Sequence, residues 1–233
     1  MLHAFNQKKS LLFQRYLGIR DDPEERRISA EDEITSLIMG PLAFLDATTI
    51  VSFWEALIKL YNPEISFPST APTRAQMEFW PKRCNIEPDL YVKLWWGEET
   101  RILLVEFKWR APLSGEAQLH NQWQRFLTPE EQMSAYHLFI GLDSAEAHNA
   151  CARQDVWQGK LLARNWFDVM TILNRSAPSA NDGFTLWRHQ VMAFFSLVRV
   201  PTFRGFSSIE QPSLSVPVGP LFFSSVSNFK AHL

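Results

Sequence analysis

The stretch EPDLYVKLWWGEETRILLVEFKWR, Glu87 to Arg110, reads as a β-hairpin. Leu90 to Trp96 mixes aromatic and aliphatic residues. Gly97-Glu98-Glu99-Thr100 has turn chemistry, and Arg101 to Trp109 carries the apolar run Ile102-Leu103-Leu104-Val105. A turn centred between Glu98 and Glu99 sets Asp89 opposite Lys108, with Glu106 two residues away. Neighbouring registers also leave Asp89, Glu106 and Lys108 at one end of the ribbon. Side chains alternate along a strand, so Glu106 and Lys108 share a face and Phe107 points the other way. Two carboxylates converging there suit a hard cation with oxygen ligands. A lysine beside them can position a water or stabilise charge on a phosphate.

Pro88-Asp89, followed seventeen residues on by Glu106-Phe107-Lys108, resembles the signature of the PD-(D/E)XK nucleases, and the intervening apolar strand fits that family. The resemblance covers about the middle third of the chain. It implies an α/β fold with a mixed central sheet flanked by helices, a restriction-endonuclease-like core. It implies Asp89 and Glu106 as ligands of Mg²⁺ or Mn²⁺, a backbone carbonyl near Phe107 as a further ligand, and Lys108 on the attacking water. Such families often add an acid from a preceding helix, here Glu33, with Glu31 and Asp32 as rivals in the same turn. Some also add a glutamine from the helix after the E-x-K strand. Gln122 is the first choice for that role and Gln118 the second, one turn apart. Arg110, His120 and Arg125 lie near enough in sequence to meet phosphate.

The activity so implied is hydrolysis of phosphodiester bonds in nucleic acid, DNA before RNA. Restriction, repair and anti-phage defence all use this core. A chain with little basic excess suits one subunit of a larger system, and a homodimer would bring two sites to two strands. The rival is a non-catalytic scaffold of the same fold that binds partners. The complete Asp, Glu and Lys set argues against it. An exposed hairpin with solvated charges is the plainest alternative.

Composition bounds the rest. The chain has 233 residues, 46% hydrophobic and 21% charged, enough for one medium globular domain. A net charge of −2 and a sequence pI near 6.3 exclude a protein that coats nucleic acid by bulk charge. Nine tryptophans and eighteen phenylalanines supply core and stacking surface. Two cysteines, Cys84 and Cys151, make neither a disulfide framework nor a zinc ribbon. With no apolar leader and no membrane-length run, the expectation is a cytoplasmic chain that does not enter a membrane. A Gly-rich phosphate loop, G-x-S-x-G and H-E-x-x-H are all missing from the sequence.

In chain order, Ser10 to Leu17 suggests a short helix and Arg20 to Arg27 a charged linker. Ser29 caps a helix that Gly40-Pro41 is expected to interrupt. Ala47 to Tyr61 has strong helical periodicity. Gln76 to Trp80 suggests an edge strand. Ser114 is a candidate cap for a helix to about Leu127, and Thr128-Pro129-Glu130-Glu131 opens another. Tyr136 to Leu142 is a buried strand whose His137 reads as structural. Helices are expected from Asp143-Ser144 to Gln154, from Asn165 to Asn174 and from Leu186 to Val198, with a short strand at Gly159 to Leu162. A Pro/Ser-rich extension follows Pro201, with Phe203-Arg204-Gly205-Phe206 as an aromatic-cation cluster.

Overall fold

The computed structural model describes residues 30–110, 112–175 and 182–200. The chain divides into Met1–Thr202 and Phe203–Leu233, and every described residue belongs to the first unit. The expected Ser10 helix, the charged linker and the Phe203–Phe206 cluster lie outside the described residues.

The fold is α/β, with a mixed five-stranded sheet flanked by helices. Strands β1 (Arg74–Phe79), β2 (Leu90–Trp96), β3 (Glu99–Phe107), β4 (Ala135–Gly141) and β5 (Leu161–Asn165) lie in that order. The first three form an antiparallel meander, and β3, β4 and β5 are parallel. β3 is therefore central, which explains its apolar run: the last six residues are all buried.

The hairpin is present, but its register differs from the expectation by two residues. Leu90 faces Val105 and Trp96 faces Glu99, so the loop is only Gly97-Glu98. Gly97 has φ +66°, the left-handed conformation that two-residue hairpin loops need and glycine takes freely. Continuing the register by one residue sets Asp89 across from Glu106 rather than Lys108. A shift of two conserves the alternation, so every residue keeps its face.

The two faces of the sheet carry separate cores. Leu103, Val105, Phe107 and Trp109 join Leu90, Val92 and Leu94 against one set of helices. These are α1 (Ala30–Leu42), α2 (Ala47–Lys59), α6 (Trp166–Arg175) and α7 (Asp182–Leu197). α1 runs through Gly40-Pro41 instead of stopping there, but Pro41 lacks the N–H that would reach Leu37, and the helix ends one residue later, at Leu42. Asp46 caps α2 by accepting from the Thr49 N–H at 2.9 Å. Ile102, Leu104 and Tyr91 point the other way, onto Leu119, Trp123, Phe126 and Trp157. That face is covered by a helix starting at α3 (Gln118–Asn121) and continuing as a π-helical turn, Gln122–Phe126. α4 (Pro129–Ser134) and α5 (Ala145–Arg153) follow.

Ser114 does not cap α3. Its N–H donates to Gln118 Oε1 at 2.7 Å, and the helix begins only at Gln118. The Thr128 box is present: Thr128 Oγ1 accepts from the Glu131 N–H and Glu131 accepts from the Thr128 N–H. No helix among the described residues is long and apolar enough to cross a membrane.

Candidate active site

The end of β3 projects Glu106 and Lys108 toward the α3 face, while Phe107 and Trp109 anchor it from the other side. Phe107 stacks on Trp166 at 5.3 Å between centroids, and Trp109 meets the same indole edge-on at 6.0 Å. The Trp166 Nε1–H donates to the Lys108 carbonyl at 3.0 Å. The Lys108 N–H donates to Ile140 O at 2.8 Å, carrying the β3–β4 pairing one residue past the strand. Both main-chain groups of Lys108 are thus fixed.

Glu106 is 1% exposed, and a carboxylate so buried needs donors. Gln118 Nε2 donates to Oε1 at 2.6 Å, and Lys108 Nζ pairs with the same oxygen at 2.9 Å. Gln122 Nε2 donates to Oε2 at 2.7 Å. The two glutamines of one helix face therefore fork onto one carboxylate, and charge-assisted bonds of this kind are stronger than neutral ones.

Asp89 stands beside this group at the mouth of β2. Its Oδ2 accepts from the Phe107 N–H at 2.7 Å, and its own carbonyl accepts from the Trp80 N–H at 3.0 Å. The approach is anchored by Arg83, which pairs with Glu131 at 2.9 Å and lies over the Tyr91 and Phe126 rings. Burial, and then the charge of Glu106, push the Asp89 carboxyl up to about 8, against the Phe107 N–H and Lys108, which lower it. Asp32 of α1 adds to the repulsion. Asp32 is a candidate acid of that turn whose charge registers at Asp89. Glu33 is half-buried, and the Glu31 side chain lies outside the described residues.

Two hard carboxylates held together against their repulsion fit a divalent cation, which removes the like-charge penalty. Among the described residues no three His, Cys, Asp or Glu side chains converge to hold a metal by themselves. A cation would bind through Asp89 and Glu106 and complete its shell with backbone carbonyl and water, as Mg²⁺ commonly does. At Phe107 the group seen facing Asp89 is the N–H, and the side chain is core.

A cleft of about 450 Å³ opens beyond the carboxyl ends of β3 and β4, lined in part by Lys108, Arg110, Leu142, Asp143 and Glu146. Carboxyl ends of adjacent strands are where open α/β sheets take ligands. Arg110 is exposed at this cleft. Arg125 is exposed toward Cys84, whose carbonyl is 3.4 Å away, and is not among the groups brought to Glu106. His120 likewise turns away, to Gln154 O at 2.8 Å.

The sequence reading missed His137 and Trp157 as members of this network. His137 Nε2 lies 3.1 Å from Gln122 Oε1, and Trp157 Nε1 donates to His137 Nδ1 at 3.0 Å. One signal was available: His137 pairs with Leu104 in β3, so it shares the face of Glu106.

Compared with protein-family models, with curated proteins and with solved structures, the chain has no match.

Proposed function

We propose that this protein is a metal-dependent nuclease with a PD-(D/E)XK-type, restriction-endonuclease-like core. The observation that carries the reading is the pairing of Asp89 with a buried, fully held Glu106 at the end of β3, with Lys108 on the same carboxylate. Asp89 and Glu106 hold Mg²⁺ or Mn²⁺. Bound there, such a cation would supply activation of a water and stabilisation of charge on the phosphate. Lys108 lines the cleft and holds its ammonium on Glu106 Oε1, from where it orients a water or meets a phosphate oxygen. Gln118 and Gln122 orient Glu106 through their amide N–H groups, and Arg110 contacts the backbone of the nucleic acid.

The substrate is DNA, and the setting is a restriction, repair or anti-phage defence system in the cytoplasm, with partner subunits or a second copy supplying part of the grip. The net charge of −2 supports shared binding. One observation favours a second reading. Both oxygens of Glu106 already accept side-chain donors, as in a scaffold that has no use for a cation.

The test is cleavage of linear, circular and single-stranded DNA and of RNA by purified protein. It is run with Mg²⁺, with Mn²⁺ and with chelator, beside Asp89→Ala and Lys108→Ala. Metal-dependent cutting that both variants lose supports the nuclease. No cutting, together with no Mn²⁺ uptake by calorimetry, sinks it in favour of the scaffold.

A further inference from the structure

One buried imidazole sets the direction of the hydrogen bonds that reach Glu106. His137 has no exposed surface, and both of its ring nitrogens are engaged. An indole N–H can only donate, so Nδ1, 3.0 Å from Trp157 Nε1, is the acceptor and carries no proton. The ring proton is then on Nε2 and is donated to Gln122 Oε1 at 3.1 Å. With its oxygen so occupied, Gln122 turns its amide nitrogen to Glu106 Oε2 at 2.7 Å. The reverse orientation would set an amide oxygen against a carboxylate and an N–H₂ group against an N–H. Burial keeps the imidazole neutral, with its pKa pushed down to about 3, so the acceptor at Nδ1 persists.

We propose that the Trp157–His137 pair is a positioning device for the candidate metal site. It locks the Gln122 amide so that its N–H₂ holds the Glu106 carboxylate in one orientation. Neither residue touches the reacting atoms. Outer partners of this kind fix metal-binding groups through the ligand's own hydrogen bonds. The metal-site role rests on the nuclease reading, whereas the lock on Glu106 stands on the contacts alone.

The experiment separates the two. Nitrogen-15 NMR of the full chain in chelator reads the His137 tautomer and the Gln122 amide protons, and calorimetry reads Mn²⁺ affinity. The wild type is expected to show a protonated Nε2, a bare Nδ1 and slowly exchanging Gln122 amide protons. Trp157→Phe keeps a ring and removes the N–H. It is expected to release the tautomer and weaken Mn²⁺ binding about tenfold. His137→Leu is expected to match Gln122→Leu, and adding it to Gln122→Leu changes nothing more, since no amide remains to orient. His137→Gln offers an amide nitrogen near the Nε2 position and restores affinity to within about threefold. A wild-type ring protonated on Nδ1 overturns the lock. Full Mn²⁺ affinity in both Trp157→Phe and His137→Leu, or additive losses in the double variant, overturns the positioning role. A wild type with the expected NMR signature and no Mn²⁺ uptake overturns the nuclease reading and leaves the lock on Glu106 standing.

Discussion

Asp89 and His137 give the fold opposite sensitivities to pH. Asp89 has its carboxyl raised from an ordinary 3.8 to about 8, chiefly by burial and by Glu106. Between those values the folded chain keeps a proton that the unfolded chain has released, so stability falls as pH rises through this window. His137 is the reverse case, lowered from 6.5 to about 3 by burial. Below 6.5 the unfolded chain gains a proton that the folded chain refuses, so stability falls as pH drops toward about 3. In chelator the two effects offset below about 6.5, so the wild type should melt at a lower temperature as pH rises from about 6.5 to about 8. Asp89→Asn retains an acceptor for the Phe107 N–H and should flatten that alkaline limb. His137→Gln should flatten the acid limb instead. Melting curves that keep their alkaline slope in Asp89→Asn would show that the strain at Asp89 is not what sets it. The sequence made Asp89, Glu106 and Lys108 legible because strand alternation has a period of two and survives a register error. It could not reveal the partner of His137, because the contact with Trp157 joins β4 to the segment after α5 and has no periodic signature.

At the scale of elements, the helix after β3 does two jobs along its length. Its first turn aims Gln118 at Glu106, and the π-helical turn adds Gln122 to the same carboxylate while carrying Trp123 and Phe126 into the apolar core. A π turn widens the helix by one residue and is found often at functional sites. The Gln-x-x-x-Gln spacing was readable as a shared face. The late start of the helix was not, because Gln118 turns its own oxygen back to the Ser114 N–H in place of a capping hydroxyl. This division predicts unequal costs. Gln122 is buried, and Gln122→Leu strands both Glu106 Oε2 and the His137 Nε2–H, a loss of about 2 to 4 kcal/mol at the usual cost of a buried unpartnered group. Gln118 is half-buried, and Lys108 still covers Glu106 Oε1 in Gln118→Leu, so that variant should lose about 1 kcal/mol or less. Urea unfolding of the two variants decides it. Equal losses would mean that the amide pair acts as one unit and that His137 adds nothing to Gln122.

For the whole molecule, the architecture followed from the order of apolar segments: a hairpin, then strands alternating with helices, gives an antiparallel meander joined to a parallel pair. What order could not supply is where the cleft opens. β3 and β4 are parallel neighbours, so their carboxyl ends emerge side by side, and the cleft there is lined by Lys108 and Arg110 after β3 and by Asp143 and Glu146 after β4. A lip of two cations in a protein of net charge −2 can neutralise few phosphates. Binding to nucleic acid should therefore depend on salt only weakly, with a slope of log K against log salt of about −2 for duplex DNA. Arg110→Ala removes one exposed cation without touching the buried bonds of Glu106. It should make that slope shallower by about 0.9 and weaken all sequences alike, because a phosphate contact carries no base information. Fluorescence anisotropy with labelled duplexes, in Ca²⁺ to prevent cutting and at several salt concentrations, measures both. A much steeper wild-type slope, unchanged in Arg110→Ala, would place the nucleic acid on another surface and leave the cleft to a different ligand.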